Sequence, residues 1–157
     1  MTTATLKEET TPAQTAKDKS AIMAIIENLR KAHHDKNAPA FAAQFASGAA
    51  IFNLAPPLVH NGVDLRKKRA WFDTWEGPVG IEPRELNITV SGDIAFAHGY
   101  LRLSGIKKGA DRPVAFWMRE TLCLERQVGN WKIIHEHTSV PFYMDASTRP
   151  AFDLKPS

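Results

Sequence analysis

The first half of the chain carries apolar residues at helical spacing. Residues 18–36 repeat them every three or four positions, which predicts an amphipathic helix. The buried face of that helix is expected to contain Ile22, Ile25, Ile26, Leu29, Ala32 and His33. Asn37 and Asp64 are suitable N-caps for a short second helix and for a third helix over residues 64–75. A strand is expected between these two helices, over residues 49–54.

The second half changes to the alternating pattern of strands. Turn residues separate four strand segments, at 84–91, 94–104, 113–125 and 131–139. Helices that precede a run of antiparallel strands indicate the α+β class rather than a doubly wound parallel sheet. We therefore expect a strongly curved sheet with three helices across its concave face, forming a cone that closes over a hydrophobic pocket.

Composition limits the classes of protein that fit. The 157 residues, 43% hydrophobic and 24% charged, suit one globular domain at residues 18–157 behind a mobile lead-in of residues 1–17. No apolar run approaches the ~20 residues that span a membrane. The net charge of +3 is small and the basic run 66–69 is typical of a solvated helix face, so we expect no nucleic-acid partner. The single cysteine, Cys123, excludes an internal disulfide and favours a cytoplasmic location.

The last strand contains the segment W-K-I-I-H-E-H-T-S-V-P-F, residues 131–142. Alternation places four side chains on one of its faces, namely Trp131, Ile133, His135 and His137. Two imidazoles on an apolar face suggest metal ligands, catalytic groups or histidines satisfied in a polar pocket. A metal needs a third ligand, for which Glu120, His98 and His60 are available. Because no H-E-x-x-H or paired-cysteine motif is present, we expect no metal.

The last two strands can be aligned by their apolar residues. Placing Leu124 opposite Trp131 keeps the leucines and the tryptophan on one buried face. The same alignment brings Glu120 opposite His135 in the interior. Burial raises a carboxyl pKa and lowers an imidazole pKa, whereas ion pairing does the reverse. Such a pair either transfers a proton at a carbon next to a carbonyl or is a buried structural pair.

Several stretches resemble the SnoaL-like, ketosteroid-isomerase-related proteins of the nuclear transport factor 2-like superfamily. They are N-L-A-P-P-L-V-H-N-G at 53–62, G-D-I-A-F-A-H-G-Y-L-R-L-S-G at 92–105, the final hairpin at 119–142 and P-A-F-D-L-K-P at 150–156. The resemblance covers residues 18–156 and implies a cone-shaped fold with an antiparallel or mixed sheet. The last strand also resembles the association domain of calmodulin-dependent protein kinase II, which assembles oligomers on the same fold.

The resemblance implies a cofactor-independent isomerase, polyketide cyclase or dehydratase that acts on a small hydrophobic carbonyl compound. In ketosteroid isomerases a protonated carboxyl on the corresponding strand donates to an oxyanion, and Glu120 matches that position. The aspartate base of those enzymes has no clear counterpart, and the first-strand region offers Asn53 and His60 instead. The alternative is a non-catalytic ligand-binding or oligomerisation module. By analogy, we expect a homodimer.

The expected site combines catalytic and binding residues. We predict Glu120 and His135 as the catalytic pair. The predicted substrate-binding residues are Asn53, His60, Trp71, Trp75, Tyr100, Trp117 and His137. The tryptophans suit a planar organic ligand, although such residues more often belong to the core. In the strand 94–104, alternation puts His98 and Tyr100 on one face without deciding whether that face lines the pocket.

Overall fold

The structure, a computed structural model, describes residues 11–157, and residues 1–10 of the predicted lead-in lie outside this range. The helices are α1 (Pro12–His34), α2 (Ala38–Ala42) and α3 (Leu65–Asp73). The strands are β1 (Phe45–Phe52), β2 (His60–Asn61), β3 (Trp75–Ser91), β4 (Ile94–Lys107), β5 (Val114–Gln127) and β6 (Asn130–Ser139). They form one sheet in the order β2-β1-β6-β5-β4-β3, in which β1 and β6 are parallel and the other neighbours are antiparallel.

Side-chain caps fix where the helices begin. The Thr11 side chain accepts a backbone hydrogen bond of the first turn, so α1 starts at Pro12 rather than at residue 18. Asn37 and Asp64 cap α2 and α3 as predicted, each through its own side-chain oxygen. None of the helices described in residues 11–157 has the length and apolar character that crossing a membrane requires.

Two apolar clusters fill the space between the helices and the sheet. The first packs α1 on the inner faces of β5 and β6 and includes Ile22, Leu29, Leu122, Leu124 and Ile133. The second joins α3 to β3, β4 and β5 and includes Phe72, Trp75, Val79, Leu103 and Met118. The predicted α+β cone, with three helices and a curved mixed sheet, is confirmed.

A buried ionic group attaches α1 to the final hairpin. The Asp18 carboxylate, 2% exposed, accepts a hydrogen bond from Trp131 Nε1 at 3.2 Å and pairs with Arg126 Nη2 at 2.9 Å. Arg126 also contacts Asp93 in the turn between β3 and β4, with its Nε 2.9 Å from the carboxylate. Burial opposes ionisation of Asp18, but the hydrogen bonds outweigh burial and lower the pKa of this carboxyl.

The strand β3 begins earlier than predicted. It starts at Trp75 rather than at residue 84, and it contains Pro78 and Pro83. Proline removes a ladder donor, which an edge strand tolerates, and β3 is the edge of the sheet. Trp75 is therefore the first residue of a strand and not the last residue of α3.

The hairpin of β5 and β6 differs from the predicted alignment. Its turn consists of Val128 and Gly129, with φ of 48° and 80°, as a two-residue type I′ turn requires. This turn places Leu124 opposite Ile133 and not opposite Trp131, so the predicted register is wrong. The sequence placed a break between these strands but not a two-residue turn, because a β-branched valine is a rare occupant of positive φ.

A β-bulge then reverses the faces of β6. One extra residue of β6 shifts the pairing just after Ile133, which is fully buried. Beyond the bulge the inward position is taken by Glu136, which is 8% exposed. His135 and His137 consequently lie on the outer face. The predicted interior contact between Glu120 and His135 is wrong, because strict alternation does not continue through a bulge.

Candidate functional site

A cavity of about 410 Å³ lies between α3, the end of β1 and the inner face of the sheet. Its apolar wall includes Phe41, Ile51, Trp71, Leu103 and Met118. Its polar lining includes Asn53, His60, Lys67, Lys68, Glu136 and Thr138. Pockets for small organic ligands measure roughly 300–1,000 Å³, so this cavity has a suitable size.

Glu136 brings a carboxyl into this cavity. The bulge in β6 turns it inward, opposite Leu122 on β5. Burial raises the pKa of the Glu136 carboxyl, while the positive charge of Lys68 acts in the opposite direction. Sequence reasoning placed Glu136 on the outer face, and no pattern in the sequence signalled the bulge that brings it inside.

Glu120 supplies a second buried carboxyl, on the inner face of β5 as expected. It is 9% exposed and pairs across the hairpin with Thr138, whereas Glu136 pairs with Leu122. The two glutamates are thus diagonal neighbours on one face, at a typical separation of roughly 7–8 Å. Burial raises the pKa of Glu120 to about 8, and the charge of Glu136 adds to the rise. Two interacting carboxyls of this kind titrate as a pair, in which Glu120, with its pKa of about 8, keeps a proton at pH 7.

Lys68 adds a cation enclosed by aromatic rings. Its Nζ lies 3.7 Å from the ring centroid of Phe41, 4.5 Å from that of Trp71 and 4.8 Å from that of Phe72. Burial lowers the pKa of this ammonium to about 8, although the charge of Glu136 acts to raise it. Within residues 11–157, no carboxylate makes a direct ion pair with Lys68. The rings therefore take the place of a counter-ion in direct contact.

His33 on α1 holds this ammonium in position. Its Nδ1 donates to the Leu29 carbonyl at 2.8 Å, which leaves Nε2 as the acceptor for Lys68 Nζ at 3.2 Å. Burial lowers the pKa of His33 to about 3, and the charge of Lys68 contributes to the shift. The imidazole is therefore neutral at pH 7. The sequence placed His33 on the buried face of the helix, but nothing in it linked this residue to the basic run of α3.

These side chains form one interior group that we call the polar cluster, consisting of His33, Lys68, Glu120 and Glu136. Two of its members, Glu120 and Lys68, have a pKa of about 8. Groups that titrate near neutrality exchange protons efficiently. Lys68 and Glu136 are the two members that line the cavity, so they are the groups that a ligand there would contact.

The predicted binding residues divide between three places. Asn53, His60 and Trp71 line the cavity. Trp75 is 1% exposed and packs in the core beside α3. The other predicted binding residues, together with the predicted catalytic His135, lie on the outer face of the sheet. These binding residues are Tyr100, Trp117 and His137.

The contacts of His135 and His137 on the outer face explain why β6 carries two imidazoles. The His135 Nδ1 is hydrogen-bonded to the Ala50 carbonyl oxygen at 2.8 Å. Both imidazoles meet the ring of Phe52 edge-on, with centroids 4.8 Å away for His135 and 5.5 Å away for His137. In the described part of the chain, no three His, Cys, Asp or Glu side chains are grouped as a metal site would need. The histidines therefore join β6 to β1 on the side opposite the cavity.

The strand β4 follows the same division. Ala95 and Ala97 face inward and are buried, whereas Phe96 and Tyr100 are 43% and 37% exposed on the outer face. The face of β4 that carries His98 and Tyr100 is therefore the outer face of the sheet, which alternation alone could not decide.

The residues that form the cavity and the polar cluster lie within the segment of the chain that a family model matches. The model of the SnoaL-like domain matches residues 22–143. The chain belongs to the SnoaL-like family. A solved structure of a nuclear transport factor 2-like protein of unknown function from Pseudomonas putida is 30% identical to this SnoaL-like chain. It covers 90% of this chain and 99% of that one, with a TM-score of 0.79.

Two further solved structures share the fold of this SnoaL-like protein. A candidate scytalone dehydratase from Novosphingobium aromaticivorans is 14% identical, covers 87% of this chain and 94% of that one, and has a TM-score of 0.72. A candidate ketosteroid isomerase from Shewanella frigidimarina is 24% identical, covers 76% and 94%, and has a TM-score of 0.62. At these identities the similarity shows the fold alone. No curated protein matches the chain.

Proposed function

We propose that this SnoaL-like protein is a cofactor-independent acid–base enzyme that acts on a small hydrophobic carbonyl compound, by isomerisation, cyclisation or dehydration. The observation that carries the proposal is the polar cluster, two of whose members, Lys68 and Glu136, line a mainly apolar cavity. Burying carboxyls and an ammonium is unfavourable unless close pairing compensates for lost hydration. Because the cluster lacks a direct ion pair to Lys68 in the described residues, its arrangement favours chemistry over stability.

Glu136 is the proposed base, because it is the carboxyl of the cluster that lines the cavity. Lys68 favours its ionised form, which removes a proton from the carbon next to the substrate carbonyl. The electrons move onto the carbonyl oxygen, where the Lys68 ammonium stabilises the developing negative charge. Glu120 is the diagonal neighbour of Glu136 and, with a pKa of about 8, holds a proton at pH 7 for the return step.

Three side chains of the cavity are proposed to bind the substrate. Trp71 offers an aromatic face to a planar hydrophobic molecule, while Asn53 and His60 offer polar atoms at the end of β1 and in β2. The residues that lie on the outer face take no part in this proposal. The ligand is accordingly a small organic molecule that buries most of its apolar surface.

Deuterium exchange tests this function even while the natural substrate is unidentified. A panel of hydrophobic ketones is incubated with the protein in D2O, and mass spectrometry measures deuterium gained at the carbon next to the carbonyl. We expect exchange above the protein-free rate, and Glu136→Gln should remove the increase because an amide does not accept the proton. Glu125→Gln is the matched control, since Glu125 lies on the same hairpin but on the outer face.

The two outcomes of that experiment lead to different functions. Undiminished exchange in Glu136→Gln would remove this residue from the mechanism. A complete lack of exchange across the panel, with a ligand bound in the cavity, would favour the non-catalytic binding module.

A role in association is the second candidate, and the outer face of the sheet favours it. Four large apolar side chains there are 37–49% exposed, namely Phe52, Ile94, Phe96 and Tyr100. Exposed apolar surface of this kind is typical of protein contacts, so a homodimer through this face is part of the proposal. Light scattering should show a dimer that Phe96→Lys converts to a monomer, and a monomeric wild-type protein at micromolar concentration would exclude this homodimer.

The single cysteine supports a cytoplasmic location.

A further inference from the structure

The surroundings of Lys68 set it apart from the rest of the basic run on α3. Its neighbours in the run are exposed, whereas the Lys68 Nζ is surrounded by three aromatic rings. Two of those rings, of Phe41 and Trp71, also line the cavity, as Lys68 itself does. The amine is therefore at the cavity wall, where a ligand would meet it. One of its N–H groups is directed to His33 Nε2 at 3.2 Å.

We propose that Lys68 forms a Schiff base with an aldehyde or ketone bound in this cavity. The inference rests on the proposed function and deepens it, because it names the chemical class of the ligand and replaces the contact between the Lys68 ammonium and the carbonyl oxygen by a covalent imine, with Glu136 still the base. Nucleophilic lysines are amines desolvated in hydrophobic pockets, and the ring enclosure of Lys68 is such a pocket. The titratable groups that face it are His33 from α1 and Glu136 from β6.

A useful share of this amine is neutral at physiological pH. Burial lowers the pKa of Lys68 to about 8. At pH 7 about a tenth of such an amine is unprotonated, compared with about one part in 2,500 at the ordinary lysine pKa of ~10.4. His33 contributes through geometry, because a neutral acceptor holds one N–H and leaves the nitrogen lone pair free for a carbonyl carbon.

The reaction balances without a cofactor. The Nζ lone pair forms a C–N bond while the C=O π electrons move to oxygen, which takes a proton from the carboxyl pair. The nitrogen returns a proton to that pair, and the pair then protonates the hydroxyl. The C–O bond breaks as the nitrogen lone pair forms the C=N bond, water leaves, and the nitrogen gives its second proton back to the carboxyl pair, which is thereby restored. The products are one imine and one water molecule.

Reductive trapping tests the inference on the wild-type protein. The protein is incubated with benzaldehyde and sodium cyanoborohydride, which reduces an imine to a stable amine, and peptide mass spectrometry locates the modified lysine. We expect one dominant adduct, on Lys68, formed about tenfold or more faster than on the exposed Lys19 of α1, because a larger share of the desolvated Lys68 amine is neutral than of an ordinary lysine. Modification spread over exposed lysines with Lys68 unmodified would overturn the inference.

A pair of variants distinguishes this inference from the proposed function. Lys68→Arg keeps a positive charge but forms no imine, and Lys19→Arg on the exposed side of α1 is the matched control. We expect Lys68→Arg to lose the adduct and the deuterium exchange with an unchanged circular dichroism spectrum, and Lys19→Arg to keep both.

The remaining outcomes separate the two proposals. Exchange that persists in Lys68→Arg, together with no Lys68 adduct in the wild type, would overturn the Schiff base and leave the acid–base function standing. A Lys68 adduct in the wild type without exchange on any ketone would support the Schiff base and refute that function.

Discussion

Replacing Glu120 by glutamine should change how the free energy of unfolding depends on pH. Burial raises the pKa of Glu120 from 4.5 to about 8 in the folded protein. Between these two values the folded protein holds a proton that the unfolded chain has released. The wild-type free energy of unfolding therefore decreases as pH rises through this window, and Glu120→Gln removes that decrease.

The structure gives the size and the limits of this effect. One group contributes about 1.4 kcal/mol per pH unit, so the window between 4.5 and about 8 corresponds to at most about 5 kcal/mol. His33 acts in the opposite direction, because its pKa falls from 6.5 to about 3 and stability rises with pH between them. Lys68, lowered from 10.5 to about 8, restores stability above the Glu120 window.

Urea unfolding at a series of pH values measures this effect. Since His33 and Lys68 titrate in both proteins, the difference between wild type and Glu120→Gln reports Glu120 together with its coupling to Glu136. We expect the variant to gain about 1 kcal/mol per pH unit relative to wild type from about pH 5 to about pH 8. Glu125→Gln, on the outer face, should follow the wild-type curve. A difference between wild type and Glu120→Gln that stays constant with pH would refute the raised pKa.

Two further predictions concern the stability of the fold. Asp18→Asn should lower the free energy of unfolding by about 2–4 kcal/mol at pH 7, because Arg126 loses the buried one of its two carboxylate partners. Burial opposes ionisation of Asp18, but its pKa is lowered overall, so the loss of stability in Asp18→Asn should shrink as pH falls below about 4. A loss of stability that does not change with pH would argue against the ion pair. Val128→Asn should raise the Tm by about 2–4 °C, because asparagine adopts positive φ more readily than valine, and calorimetry showing a lower Tm would contradict the turn geometry.

The fold could be predicted because its signals are local. The buried face of α1 follows from spacing within one helix, and the caps Asn37 and Asp64 act on backbone groups three residues away. The alternation of β4 and β5 is also readable over short windows. These features do not depend on what each element packs against.

The arrangement of the polar cluster could not be predicted because long-range geometry decides it. A single extra residue in β6 exchanges the faces of His135 and Glu136, and the sequence carries no mark of that bulge. Lys68 belongs to a run that is typical of a solvated surface, and its burial depends on how α3 packs against Phe41 and His33. Glu120 was placed inside correctly, but its partner in the interior was not.

Carbon-13 NMR of the glutamate side-chain carboxyls is the most direct test of the polar cluster. The two resonances are assigned with Glu120→Gln and Glu136→Gln, and their shifts are followed across pH. We predict that Glu120 titrates near about 8, and that Lys68→Met raises the apparent pKa of Glu136 by removing the charge that favours its ionised form. If both carboxyls titrate near the ordinary value of 4.5, the interior holds no exchangeable proton at neutral pH and the proposed acid–base site is contradicted.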